Sequence, residues 1–161
     1  MPLFPTRNDL LEATRANVCD VLNPLLAETF DLYSQTKQAH WNVKGRDFIQ
    51  LHKLFDELAA TLEGPIDEIA ERITALGGLA KGTVRMAGTN SKLPEYPLDV
   101  VEGMQHVRLL ADRYASLAKS MRAAIDTTDE AGDKDTADLC TQVSRELDKS
   151  LWFLEAHLIE K

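Results

Sequence analysis

With 161 residues the chain has room for one domain with its own core, so neither disulfides nor a structural metal are needed to hold it together. Eighteen basic residues against twenty-six acidic ones leave a net charge of −8, which favours cations over nucleic-acid phosphates as partners. No apolar run approaches the roughly 18 residues of a membrane helix, and Met1 to Arg7 carries neither an apolar signal core nor a cleavage pattern, so the expectation is a soluble, cytoplasmic protein. Cys19 and Cys140 stand apart with no Cys-x-x-Cys spacing and read as small apolar residues of a reducing compartment.

Apolar residues recur at steps of three and four in four long segments, the pattern of amphipathic helices. The first is expected over about Asn8 to Trp41, through Val18, Leu22, Leu25 and Leu26 to His40. Asn23-Pro24 within it reads equally as a kink or as an N-cap followed by a proline at the first helical position. The second spans about Asp47 to Leu76, with Leu51, Phe55, Leu58, Leu62, Ile69 and Ile73 on one side and Gly77-Gly78 as its stop. The third is expected over about Leu98 to Ile125 and the fourth over about Thr136 to Ile159. Between Gly78 and Pro97 the connection is longer than bundle loops usually are and has room for one short helix near Lys81 to Ala87. The fold class is therefore all-α, a four-helix bundle with a short extra helix in a long middle crossover, over residues 1–161.

On the second helix, at about 100° per residue, His52, Asp56, Glu63, Asp67 and Glu71 fall in a line about 130° from the apolar stripe. For acidic residues alone the simplest reading is a solvated charged face. The same face, however, carries Ala59, Ala60 and Gly64, small residues that let a second backbone come close. His52 and Asp56 are four apart, as are Asp67 and Glu71, so each pair offers two ligands from one side of a helix, and imidazole with carboxylates suits iron and related divalent metals. The two pairs are centred fifteen residues apart, about 22 Å along a helix, too far for one ion to bridge. A two-fold axis near Thr61 and Leu62 removes the difficulty, because an antiparallel copy sets the first pair of one chain beside the second pair of the other. His40, followed by Trp41-Asn42-Val43-Lys44-Gly45, is placed to turn back as a further nitrogen ligand, although a lone histidine there is more often a core or capping residue.

The run Lys37-Gln-Ala-His-Trp-Asn-Val-Lys-Gly45, then His52, Asp56, Asp67-Glu68-Ile69-Ala70-Glu71-Arg72, Tyr96-Pro97, Thr136-Ala137-Asp138 and Trp152-Phe153-Leu154-Glu155 resembles the signature of the Dps (DNA-protection-during-starvation) family, and the likeness covers nearly the whole chain. The resemblance implies a ferritin-like bundle and a ferroxidase that oxidises Fe(II), with hydrogen peroxide as preferred oxidant. His40, His52 and Asp56 would come from one subunit and Asp67 and Glu71 from its two-fold mate, holding non-haem iron. It further implies a homododecameric shell that stores ferric mineral and protects the cell and its DNA, with acidic pores at Asp135 and Asp138, joined by Asp133. Trp41 would take up oxidising equivalents beside the metal, although a core position is commoner for tryptophan.

Two departures stand out: Pro65 sits between the ligand pairs, and the first helix starts without the long lysine-rich tail by which some relatives bind DNA. The alternative, a nucleoid-associated DNA-compacting protein with iron secondary, requires phosphate contacts that this charge disfavours. A larger classical ferritin is disfavoured because no Glu-x-x-His occurs, and a third class is an inert interaction bundle with structural histidines.

Overall fold

A computed structural model describes residues 3–159; Met1 and Pro2 of the amino-terminal segment read above lie outside the described residues. Five helices follow in order: α1 Glu12–Asn42, α2 Phe48–Ala75, α3 Val84–Asn90, α4 Gly103–Glu130 and α5 Lys134–Glu155. Among the described residues there is no strand, only an isolated bridge between Lys44 and Glu102. α1 packs along α2 and α4 along α5, the two pairs meet through α1 with α4 and α2 with α5, and α3 rests on α1. No helix among the described residues is long and apolar enough to cross a membrane.

The predicted stripes form one continuous core in which Leu22, Leu26, Leu51, Phe55, Leu62, Ile69, Leu110 and Tyr114 are fully buried. Each such side chain contributes roughly 1.5–3 kcal/mol against exposure. Both cysteines lie in this core as free thiols, and burial raises the pKa of each.

Several helix ends differ from the periodicity, most of them for a local reason. α1 starts at Glu12 rather than Asn8, because Asn8 accepts from the Leu10 amide in a turn (3.0 Å). α3 starts at Val84 rather than Lys81 because Thr83 is its N-cap and accepts from the Met86 amide. The expected start of α4 at Leu98 moves to Gly103: Glu102 caps it through the amides of Met104 and Gln105, and Val101 is paired with Lys44 of the α1–α2 loop. Its far end runs past Ile125 to Glu130, with Thr127 and Thr128 donating to the carbonyls of Ala123 and Ala124, until Gly132 at φ 87° closes the turn. α5 ends at Glu155 rather than Ile159.

Both prolines resolve as helix-interior residues. Pro24 lies inside α1, so Asn23 is no N-cap; its side chain donates to the carbonyls of Cys19 and Leu79 and accepts from the Lys81 amide, tying α1 to the crossover. α2 runs unbroken through Gly64-Pro65 with Pro65 buried, and the carbonyl deprived of its helical donor is that of Thr61. The far end of α2 is pinned from outside. Arg15 donates to the Leu76 carbonyl (2.9 Å) and the Phe4 amide to the Gly77 carbonyl (2.7 Å). Gly77, at φ 85°, has no room for a Cβ, which would meet the Phe4 carbonyl oxygen.

His106 in the first turn of α4 is wholly enclosed, with Nδ1 2.6 Å from the Tyr96 hydroxyl. Burial pushes its pKa below the ordinary 6.5, partly countered by Glu102. An imidazole whose folded pKa is depressed takes up its proton more readily in the unfolded chain, so its contribution is complete above pH 6.5 and is lost as pH falls from there towards the folded value. Melting curves at about pH 7.5 and about pH 5.5 are expected to show a lower midpoint at the acid pH, with a smaller drop in His106→Gln.

Candidate metal centre

His40 lies in the last turn of α1 and His52 in the first turns of α2, and the short loop between the helices turns at Gly45, where φ is 109°. The two imidazoles are stacked, with centroids 3.9 Å apart and planes at 21°. Their backbone contacts are reciprocal. His40 Nδ1 lies 2.7 Å from the carbonyl oxygen of His52, and His52 Nδ1 lies 2.9 Å from the carbonyl oxygen of His40. A carbonyl only accepts, so in both rings Nδ1 carries the hydrogen, and in the neutral ring Nε2 is left with a free lone pair. The backbone thus sets both tautomers, which is what a metal-ligating histidine needs from its surroundings.

Asp56 lies one turn beyond His52 on α2. Its Oδ1 lies 3.8 Å from His40 Nε2 and 2.6 Å from Lys37 Nζ. The hydrogen bond from Lys37, with further help from His40, His52 and the lysine charge, holds the Asp56 carboxyl below the usual carboxylate range, so it is ionised at neutral pH. Lys37 escaped the sequence reading as a site residue, although its position three before His40, on the same face of α1, was the available signal. An arriving cation competes with the ammonium for the same oxygen. Lys37→Ala is therefore expected to tighten binding of a divalent cation several-fold and to raise the Asp56 pKa towards the usual carboxylate range, as read by anaerobic metal titration and by carboxyl NMR.

Asp67 and Glu71 lie farther along the same face of α2, both exposed and neither making a side-chain hydrogen bond or ion pair among the described residues. The unbroken helix keeps them about 22 Å, centre to centre, from His52 and Asp56. One chain thus brings His40, His52 and Asp56 together and leaves Asp67 and Glu71 apart. Among the described residues no three His, Cys, Asp or Glu side chains gather tightly enough to hold an ion. Of the small residues on this face, Ala60 and Gly64 are exposed, whereas Ala59 is buried within the chain, a correction to the sequence reading. Trp41 is not a core residue: it is 66% exposed, with Lys37 Nζ 5.9 Å from its ring centre, and Phe48 and Ile49 add exposed apolar surface beside the histidines.

The acidic stretch before α5 divides in two. Asp133 is 2% exposed, caps α5 through the Thr136 amide and binds Arg72 at 2.6 Å, so it drops out of the surface set and serves as a cap. Arg72 also donates to the Thr136 hydroxyl at 2.8 Å, fastening the end of α2 that carries Glu71 to α5. Asp135 and Asp138 are exposed.

The ferritin-like domain model matches residues 19–160. A DNA protection during starvation protein of Agrobacterium fabrum is 47% identical over 161 residues, covering 100% of this chain and 99% of the relative. Among solved structures, DpsC from Streptomyces coelicolor superposes with a TM-score of 0.94 at 32% identity, covering 99% of this chain and 93% of that one. The Dps protein of Vibrio cholerae, described as a member of a broad superfamily of ferritin-like diiron-carboxylate proteins, gives 0.90 at 28% identity, covering 99% and 98%. With the bundle, the long crossover and a matching domain over most of its length, this chain belongs to the Dps family of ferritin-like proteins.

Proposed function

We propose that the protein oxidises Fe(II) at sites completed between two subunits and stores the ferric product inside a closed shell. The observation that carries this reading is the reciprocal pair of Nδ1–carbonyl hydrogen bonds, which leaves the Nε2 atoms of His40 and His52 free next to an ionised Asp56. Two nitrogens and one carboxylate from one chain, with Asp67 and Glu71 of the partner subunit, form a mixed donor set suited to iron. The two-fold axis near Thr61 and Leu62 is supported by exposed Ala60 and Gly64, which permit close helix approach, and by the exposed apolar surface of Trp41, Phe48 and Ile49.

In this reading Fe(II) displaces Lys37 from Asp56, and the carboxylates stabilise the charge gained on oxidation. Two Fe(II) give up two electrons and one hydrogen peroxide accepts them, yielding two waters once two protons are supplied. The shell is a dodecamer, and Asp135 and Asp138 line the pores that admit iron. The protein works in the cytoplasm, and any benefit to DNA comes from removing Fe(II) and peroxide together, since a net charge of −8 opposes phosphate contact.

The test is to load the protein anaerobically with Fe(II), add peroxide and follow ferric absorbance and size exclusion. Fast oxidation, faster with peroxide than with oxygen, and iron eluting with a large shell is expected. Slow oxidation with iron precipitating outside the protein would discard the reading.

A further inference from the structure

The site chemistry makes no use of Tyr96 and His106, although this pair contains the one buried side-chain polar atom without a partner among the described residues, His106 Nε2. The phenol oxygen sits 2.6 Å from His106 Nδ1, and the rings are nearly parallel with centroids 5.9 Å apart. Tyr114 by contrast donates to the Leu58 carbonyl at 3.2 Å, a group that cannot take up a proton, and Tyr33 is half-exposed against the Phe30 ring. Tyr96 is therefore the tyrosine with a base within reach. Enclosure keeps His106 neutral, so Nδ1 can accept the phenol hydrogen. The Arg113 guanidinium lies 5.2 Å from the centre of the Tyr96 ring and opposes any positive charge on it. An electron can leave this ring only together with its proton.

The reading above creates a demand for such a group. Peroxide accepts two electrons and each Fe(II) supplies one, so a site holding a single Fe(II) converts peroxide into hydroxide and a one-electron oxidant of the hydroxyl-radical class. Trp41, next to His40, and Tyr96 line the same cleft of about 530 Å³. Resting on the proposed ferroxidase reaction, we infer that Tyr96, with His106 as its proton acceptor, supplies the second electron and holds the oxidising equivalent until another Fe(II) arrives. The oxidant takes one electron from Tyr96 and becomes hydroxide. The phenol O–H bond breaks, its proton moves to His106 Nδ1, and a neutral phenoxyl radical remains. A second Fe(II) then reduces the phenoxyl oxygen, which recovers the proton from Nδ1. Two Fe(II) are oxidised per peroxide, two hydroxides form, and the pair returns to its starting state.

The test freezes the assembled protein, carrying about one Fe(II) per site, shortly after peroxide addition, and reads ferric yield and the EPR spectrum of the same sample. A radical signal that narrows with ring-deuterated tyrosine is expected. It should be absent in Tyr96→Phe, present in Tyr33→Phe, at least about tenfold weaker in His106→Gln, and discharged by further Fe(II). Should Tyr96→Phe fail to assemble, survival of the signal in both Tyr33→Phe and Tyr114→Phe assigns the same residue, and its loss in either overturns the assignment. Normal ferric yield without a tyrosyl signal, or with one that persists in Tyr96→Phe, refutes the relay and leaves the ferroxidase standing. Absence of ferric product refutes both.

Discussion

Replacing Asp67 and Glu71 together by alanine is expected to slow peroxide-driven Fe(II) oxidation on the order of a hundredfold or more while leaving the fold intact. The magnitude follows from comparison: loss of groups that merely orient metal ligands costs about 10–100-fold, and loss of the two carboxylates proposed as ligands should cost at least as much. The fold is spared because both side chains are exposed and form no side-chain hydrogen bond or ion pair among the described residues, so their removal belongs with surface substitutions that change stability by about 0.5 kcal/mol at most. Stopped-flow ferric absorbance beside a melting curve reads both effects. Undiminished oxidation would mean that the histidine half of the site acts without a partner.

The second large effect falls on stability. Arg72→Leu is expected to cost about 3–5 kcal/mol, because it leaves the Asp133 carboxylate buried without its charged partner. Asp133 keeps the Thr136 amide and hydroxyl as donors, which places the cost towards the lower end. Arg72 adjoins Glu71, so loosening this anchor should also blur the acidic half-site and weaken Fe(II) binding before the protein unfolds. Denaturant titration measures the first effect and anaerobic Fe(II) titration the second. A loss below about 1 kcal/mol would show that water takes over the guanidinium's place.

The bundle was legible in the sequence because the stripe from Leu51 to Ile73 repeats at helical spacing for about six turns, a signal that short elements lack. The ends were less legible. Leu98 and Val100 continue an apolar rhythm ahead of α4, yet Glu102 caps the helix after them. The separation of Asp67 and Glu71 from His52 and Asp56 followed from helical rise alone, and the unbroken α2 preserves it. What spacing could not give was the role of the backbone: the reciprocal carbonyl contacts of His40 and His52 depend on the Gly45 turn. Nor could it separate Asp133 from Asp135, two residues apart in one acidic run, of which one points into the protein and the other out.

The central claim is that each site is built from two chains, and mixed assemblies test it most directly. His52→Ala combined with Asp56→Ala in one chain, and Asp67→Ala combined with Glu71→Ala in another, each remove half of every site. Shells of either variant alone should be nearly inactive. Co-expressed with distinct tags and isolated as mixed shells, a dimer containing one of each variant regains one intact site, so random pairing restores about a quarter of the wild-type rate. Mixed shells no more active than either parent would contradict a shared site.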